Sequence, residues 1–210
     1  MTNASVSISG LAVVFSVAAI GFAGAAQAAP APHATAEGMH GDPAAAAPFW
    51  RYQRQDYDCG EMAAADVVGE ITGRQPTEDE VTAVAETVLS VNHSGPIYKP
   101  GSRTSNSDLQ PLLAHYGIPA SSLHTNTDAL IEDLDHGRKI IAGVNDKIIW
   151  NKRGDRSVEN HFVVVTGIDT RAGMVHLNDT GSSVGRDEQV SVATFEQAWA
   201  TSNNFAVVTG

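Results

Sequence analysis

Gln53-Arg54-Gln55-Asp56-Tyr57-Asp58-Cys59-Gly60-Glu61-Met62-Ala63-Ala64-Ala65 holds the single cysteine of a 210-residue chain. Upstream of Cys59 the stretch is polar and charged. Downstream it is Ala-rich, and Met62, Ala65, Val68 and Ile71 recur at helical spacing until Gly73 offers a C-terminal stop. The thiol therefore stands at the start of a helix, where backbone N–H groups stabilise the nucleophilic thiolate. A buried structural thiol is the commoner fate of a free cysteine. The choice depends on whether the chain supplies a base, a group to orient that base, and a donor for an oxyanion.

Outward from this stretch, the chain start bears on where the thiol works. Residues 1–28 contain no Asp, Glu, Lys, Arg or His, and Gly10 to Ala26 is apolar and small. Ala26-Gln27-Ala28 matches a small-x-small cleavage pattern, so 1–28 reads as a secretory signal peptide, although Met1 to Ser9 lacks the usual Lys or Arg. The competing reading is an uncleaved anchor, for which an apolar run of about 17 residues is short. Export places an unpaired thiol in an oxidising compartment and marks it as a reactive group or an intermolecular bridge. The net charge of −11 falls entirely on the mature chain. That excludes an electrostatic footprint for nucleic acid or anionic lipid, and no stable membrane insertion is expected after signal cleavage.

Residues 29–48 are dominated by Ala, Pro, Gly and His and read as a flexible spacer. His33 and His40 within it make a weak metal site. Residues 49–210 are long enough for one domain with a real core. Thr77-Glu78-Asp79-Glu80 is a capping box opening a helix through Leu89, and Ser107 to Gln110 is another, leading to a helix that ends at Gly117. Thr127 caps a helix over Asp128 to Asp135. Lys139 to Val144 then reads as a strand, and Asp146 to Asn160 as a polar loop with an isolated Ile148-Ile149-Trp150. His161 to Ile168 is β-branched and apolar on both faces, the signature of a central strand. A turn at Asp169 to Gly173 returns the chain through Met174 to Asn178. A strand at Gln189 to Val192, a short helix opened by Thr194, and a strand at Phe205 to Val208 complete it. Helices first and hairpin-connected strands second argue an α+β fold with an antiparallel sheet.

Of eight His, His161 stands apart at the head of the most apolar strand, where a polar residue meets the rim of a core. Asp179 follows the returning strand and could orient it. A hairpin count puts His161 opposite residues 181 to 183, a mismatch of two to four that a bulge can absorb. Asn178, on the other strand face, is the fallback. Gln53 and Gln55 both qualify by type as oxyanion donor beside the Cys59 N–H. A metal set of His161, His176 and Asp179 would have its last two members on opposite strand faces. Asp56, Asp58 and Glu61 around Cys59 read as solvated charges. No cofactor or metal is called for.

The motifs Gln53-x5-Cys59-Gly60, His161 to Asp169 and Leu177-Asn178-Asp179 resemble the papain-like cysteine peptidases. Within them the chain is most similar to the C-terminal-sheet subgroup typified by double-glycine-leader (bacteriocin-processing) peptidase domains and their free-standing relatives. The likeness spans about residues 50 to 208. It implies N-terminal helices carrying Cys59 packed on a C-terminal antiparallel sheet carrying His161 and Asp179. It also implies Gln53, rather than Gln55, as the oxyanion donor, and a peptide or protein substrate. Glu61 departs from the family, which usually has Pro there. Two other readings stand beside it: a cell-wall peptidoglycan hydrolase of the Cys-His type, and a catalytically silent binding or inhibitory module on the same fold.

Overall fold

The structure, a computed structural model, describes Met1 and residues 37–210. The chain divides into two units, residues 1–32 and 33–210, and every element below belongs to the second. The signal-peptide reading of 1–28 lies outside the described residues.

Among the described residues, three short elements precede the helix of the opening stretch, the last of them a 3₁₀ turn at Ala47–Phe49. Strand β1 (Met39–Gly41) is followed by a one-turn helix α1 (Pro43–Ala46), whose Asp42 cap accepts a hydrogen bond from the Ala45 N–H at 3.0 Å. Residues 39–48 thus correct the expectation of a flexible spacer over 29–48. β1 pairs with the central strand, and Ala46 is buried. Low apolar content concealed this, because the segment is held by backbone pairing more than by side-chain burial.

The cysteine-bearing helix α2 runs from Cys59 to Thr72 and stops at Gly73, which adopts φ 74°, the left-handed conformation that closes helices. Thr77 forms the expected capping box with Glu80 and opens α3 (Glu78–Ala85). That helix ends before the expected Leu89, since Leu89 instead makes a bridge with Pro96. A 3₁₀ turn at Asn106–Asp108 leads into α4 (Leu109–His115) without the expected Ser107 cap. β2 (Ala120–His124) is a strand that the polar Ser121-Ser122 pair hid; it sits at the sheet edge, where polar residues are tolerated. α5 (Thr127–Asp135) is capped by Asn126 rather than Thr127. β3 (Ile140–Val144), a one-turn helix α6 (Asp146–Ile149), β4 (His161–Asp169), β5 (Met174–Asn178), β6 (Glu188–Ser191), α7 (Val192–Trp199) and β7 (Phe205–Thr209) follow.

The seven strands among the described residues form one antiparallel sheet in the order β2-β7-β3-β4-β5-β6, with β1 added alongside β4. β4 is central, and its alternation divides the core. Phe162 and Val164 pack with α2, α3 and α4 on one face. Val163 and Val165 pack with Leu130, Phe195 and Trp199 from α5 and α7 on the other. Both faces are dry, which explains the continuous apolar run of β4. Placing α2 against β4 brings the helix start to the strand mouth.

Candidate active site

Cys59 is the first residue of α2, and its thiol is free and 5% exposed. At the mouth of β4, His161 Nε2 meets Asp179 Oδ1 at 2.7 Å. The register supplies only part of the reach, since it puts His161 opposite Gly181, two residues beyond Asp179. β4 and β5 pair as Val164 with Asn178, and a bulge between Val165 and Gly167 shifts the ladder by one residue. Asp179 lies just beyond the end of β5 in a turn, its N–H donating to the Gly185 carbonyl at 2.8 Å, and the turn curls its carboxylate back over the strand. Asn178 points away from His161. Its Nδ2 donates to Asp66 Oδ2 of α2 and to the Ala46 carbonyl, each at 3.0 Å, tying the strand that precedes Asp179 to the helix that carries Cys59.

The Asp179 carboxylate is saturated with donors. Besides His161 it accepts the Gly181 N–H at 2.8 Å and the Trp150 indole N–H at 2.8 Å. Burial pushes its pKa up, but His161, Trp150 and Gly181 outweigh that and hold it below the ordinary carboxylate range. Burial likewise disfavours a charged His161. The Asp179 charge and hydrogen bond, with Cys59 acting in the same direction, win and raise its proton affinity well above normal. With Nε2 committed to Asp179, Nδ1 is the ring nitrogen left for the thiol. Gly181 is required by packing, because a Cβ there would lie 2.8 Å from His161 Cε1.

Gln53 and Gln55 both line the cleft of about 290 Å³ that Cys59 and His161 share with Arg103 and Asp146. They are held differently. Gln53 is tied to the turn after Asp179: its N–H donates to the Thr180 carbonyl at 2.9 Å, and its Oε1 accepts from Thr180 Oγ1 at 3.0 Å. Its Nε2 donates one hydrogen to the Gln55 carbonyl at 2.7 Å, which leaves the second available. The Gln55 side chain is turned to the Tyr98 hydroxyl, from which it accepts at 3.1 Å.

Two groups were not foreseen as parts of the site. Trp150, from the isolated apolar triplet in the polar loop, lies with its ring centroid 5.5 Å from that of His161. The loop is closed behind it by Asn160, whose Oδ1 accepts the Asp146 N–H at 2.8 Å. The second group is a set of carboxyls read as solvated. Only Asp56 is exposed; Asp58 and Glu61 are fully buried. Burial, reinforced by Glu78 and Glu61, pushes Asp58 up to about 8, and burial pushes Glu61 up to about 7 against the opposing hydrogen bond from Thr104. At neutral pH Asp58 is therefore mostly protonated and Glu61 about half so, which weakens the repulsion their charges would exert on a thiolate. Glu188 on β6 is also raised to about 7, by burial and the neighbouring Asp179 charge. Of the three residues weighed as a metal set, His161 and Asp179 bond each other, while His176 is engaged by Asp187 at 2.6 Å.

Comparisons with known proteins converge on one group. The model of the Peptidase_C39 like family matches residues 48–207. An uncharacterized protein of Mycobacterium bovis and uncharacterized proteins of two Mycobacterium tuberculosis strains are each 41% identical, covering 100% of both chains. Among solved structures, a Bacillus anthracis protein described as C39-like has a TM-score of 0.60 at 17% identity, covering 82% of this chain and 97% of its own. The peptidase domain of Streptococcus ComA, a bi-functional ABC transporter of a quorum-sensing pathway, has a TM-score of 0.53 at 17% identity, covering 76% and 96%. At that identity the two structures speak for the fold alone.

Proposed function

The chain belongs to the Peptidase_C39 like family, and from that membership we propose an exported cysteine peptidase in which Cys59, His161, Asp179 and Gln53 carry the reaction. The observation that carries the proposal is the buried His161–Asp179 pair, 2.7 Å apart, opening on a polar cleft that also receives Cys59 and Gln53.

His161 Nδ1 takes the Cys59 proton, and the sulfur attacks the carbonyl carbon of a peptide or protein substrate. The negative oxygen that forms is held by the free Gln53 Nε2–H and the Cys59 backbone N–H. Collapse breaks the C–N bond, and His161 Nδ1–H protonates the leaving amine. A water that gives its proton to His161 then hydrolyses the thioester and regenerates the thiol. Asp179 keeps the imidazole in register and stabilises its charged form, the role of the third member in other triads. Export is supported by the apolar run and the cleavage pattern within residues 1–28. N-terminal sequencing of protein recovered outside the cytoplasm should begin at Ala29; an intact Met1 on that protein would refute cleavage at that site.

Alkylation tests the site. Iodoacetamide should modify wild-type Cys59 rapidly at pH 6.5 and His161→Ala at least about a hundred-fold more slowly, the smaller end of what a positioned base supplies. Equal rates in the two proteins would leave Cys59 a structural thiol.

A further inference from the structure

Glu78 is the first residue of α3, remote in sequence from both Cys59 and His161, and its side chain is 5% exposed. Its carboxylate does not serve its own helix. Oε1 accepts the backbone N–H of Arg54 at 2.7 Å and of Gln55 at 3.0 Å, and Oε2 accepts Arg54 Nε at 2.6 Å. These bonds grip the two residues that follow Gln53. On its other side Glu78 meets the carboxyl of Asp58, the residue immediately before Cys59. Neither Asp58 oxygen has a hydrogen-bond partner, and burial together with the nearby Glu78 carboxylate raises its proton affinity. One carboxylate, anchored by the capped start of α3, therefore holds the backbone of the two residues that lead from Gln53 towards Cys59.

We infer that Glu78 is a positioning residue for the reaction: it fixes the segment carrying Gln53 and Cys59 and so sets the oxyanion site. This rests on the peptidase reading given above. An ordinary surface ion pair would join two side-chain ends in solvent. Here two of the three bonds to Arg54 and Gln55 are to main-chain N–H groups, which locate backbone. Arg54 adds a second, exposed bond to Asp79 at 2.6 Å that leaves the main chain untouched. Without the Glu78 carboxylate the segment has the Gln53–Thr180 contacts and the Gln55–Tyr98 hydrogen bond but nothing to hold the N–H groups of residues 54 and 55.

Two reagents separate positioning from folding. Acylation by p-nitrophenyl acetate forms an S–C bond at Cys59 through an oxyanion and releases p-nitrophenolate. Displacement of iodide from iodoacetamide uses the same thiol and builds no oxyanion. With the full chain, Glu78→Ala should slow acylation by roughly 10- to 100-fold, approaching the loss of an oxyanion donor, while alkylation stays within about three-fold. Glu78→Gln keeps an oxygen for the two N–H groups and should recover acylation to within about five-fold of wild type. Unchanged acylation in Glu78→Ala, or equal loss with both reagents, would overturn the assignment. A measurement on the wild type covers the case in which Glu78→Ala does not fold. The Arg54 and Gln55 amides should exchange with solvent markedly more slowly than those of Asp56 and Tyr57, and equal exchange would also overturn it. Cys59→Ala and His161→Ala report on the site reading separately. Acylation that persists in them removes that reading, whereas acylation lost in them but kept in Glu78→Ala removes only the role of Glu78.

Discussion

Trp150 donates its indole N–H to Asp179 Oδ2 at 2.8 Å, on the carboxylate whose other oxygen holds His161. The indole also carries Lys152 over its ring, with Nζ 4.3 Å from the centroid. Orientation of Asp179 is therefore delegated to a residue from the 146–160 loop. Trp150→Phe keeps an aromatic ring and deletes the donor. A hydrogen bond to a charged group contributes about 1.5–3 kcal/mol. If about half of that reaches the His161–Asp179 geometry, Cys59 alkylation should slow by roughly three- to ten-fold, and the thermal midpoint should fall by roughly 3–12 °C. A rate within two-fold of wild type would mean that Gly181 and His161 suffice to hold the carboxylate.

The charge state of His161 depends on Asp179. Burial alone drives the imidazole towards neutrality, and the Asp179 carboxylate reverses this. In Asp179→Asn the ring resonances of His161 should titrate at a pH clearly below the wild-type value. The sign for stability follows from the two shifts. The His161 contribution is complete below its unfolded pKa and is lost as pH rises through the raised folded value. The Asp179 contribution is present above its unfolded pKa and is lost as pH falls through the depressed folded value. The deficit of Asp179→Asn in thermal midpoint should therefore be greatest in weak acid, between the unfolded values of 3.8 and 6.5, and shrink as pH moves below or above that window. A deficit constant across pH would assign the loss to packing alone.

Asp58 and Glu61 act in the opposite sense. Their folded pKa values are raised, from 3.8 to about 8 and from 4.5 to about 7, so the native state binds more protons than the unfolded chain between those limits. Stability should fall as pH rises through that window. Glu61→Gln retains an oxygen for the Thr104 hydroxyl and removes the titration. Urea unfolding should show the variant gaining on wild type at pH 8 relative to pH 5. An equal difference at both values would show that Glu61 does not titrate there.

The segment before the cysteine loop is joined to the Asp179 turn. Asn178 Nδ2 donates to the Ala46 carbonyl at 3.0 Å, and the Trp50 indole donates to the Asp179 carbonyl at 2.6 Å. A chain beginning at Phe49 loses the β1 ladder and the Ala46 acceptor. At about 1 kcal/mol per hydrogen bond the loss is at least about 2 kcal/mol. For a domain of this size that lowers the thermal midpoint by roughly 4–8 °C relative to a chain beginning at Glu37. Identical midpoints would show that strand β1 is an appendage.

Periodicity made much of the fold readable. The continuous β-branched, apolar run from His161 to Ile168 marks a strand buried on both faces, and the structure places it at the sheet centre. The Thr77–Glu80 box and Gly73 mark helix ends because capping is local chemistry, complete within four or five residues. β1 and β2 escaped notice because their pairing partners, β4 and β7, are far along the chain and their own side chains are small or polar. For the site, residue type and strand position singled out Cys59, His161 and Asp179 as candidates, and family likeness selected Gln53 over Gln55.

What the sequence by itself determined is therefore the local part: a lone thiol at a helix start, a histidine heading an apolar strand, and an aspartate after the returning one. Only the tertiary structure decided that His161 and Asp179 meet, because the bulge at Val165–Gly167 and the turn closed by Gly185 set a distance that no count along the strand fixes. It also decided that Asp58 and Glu61 are buried, with raised proton affinity, rather than solvated. Ionisation depends on what packs over a group, and at Asp58 that is Glu78 from the next helix. The Cys59 stretch carries its thiol and its helix start in its own residues; its electrostatics belong to its neighbours.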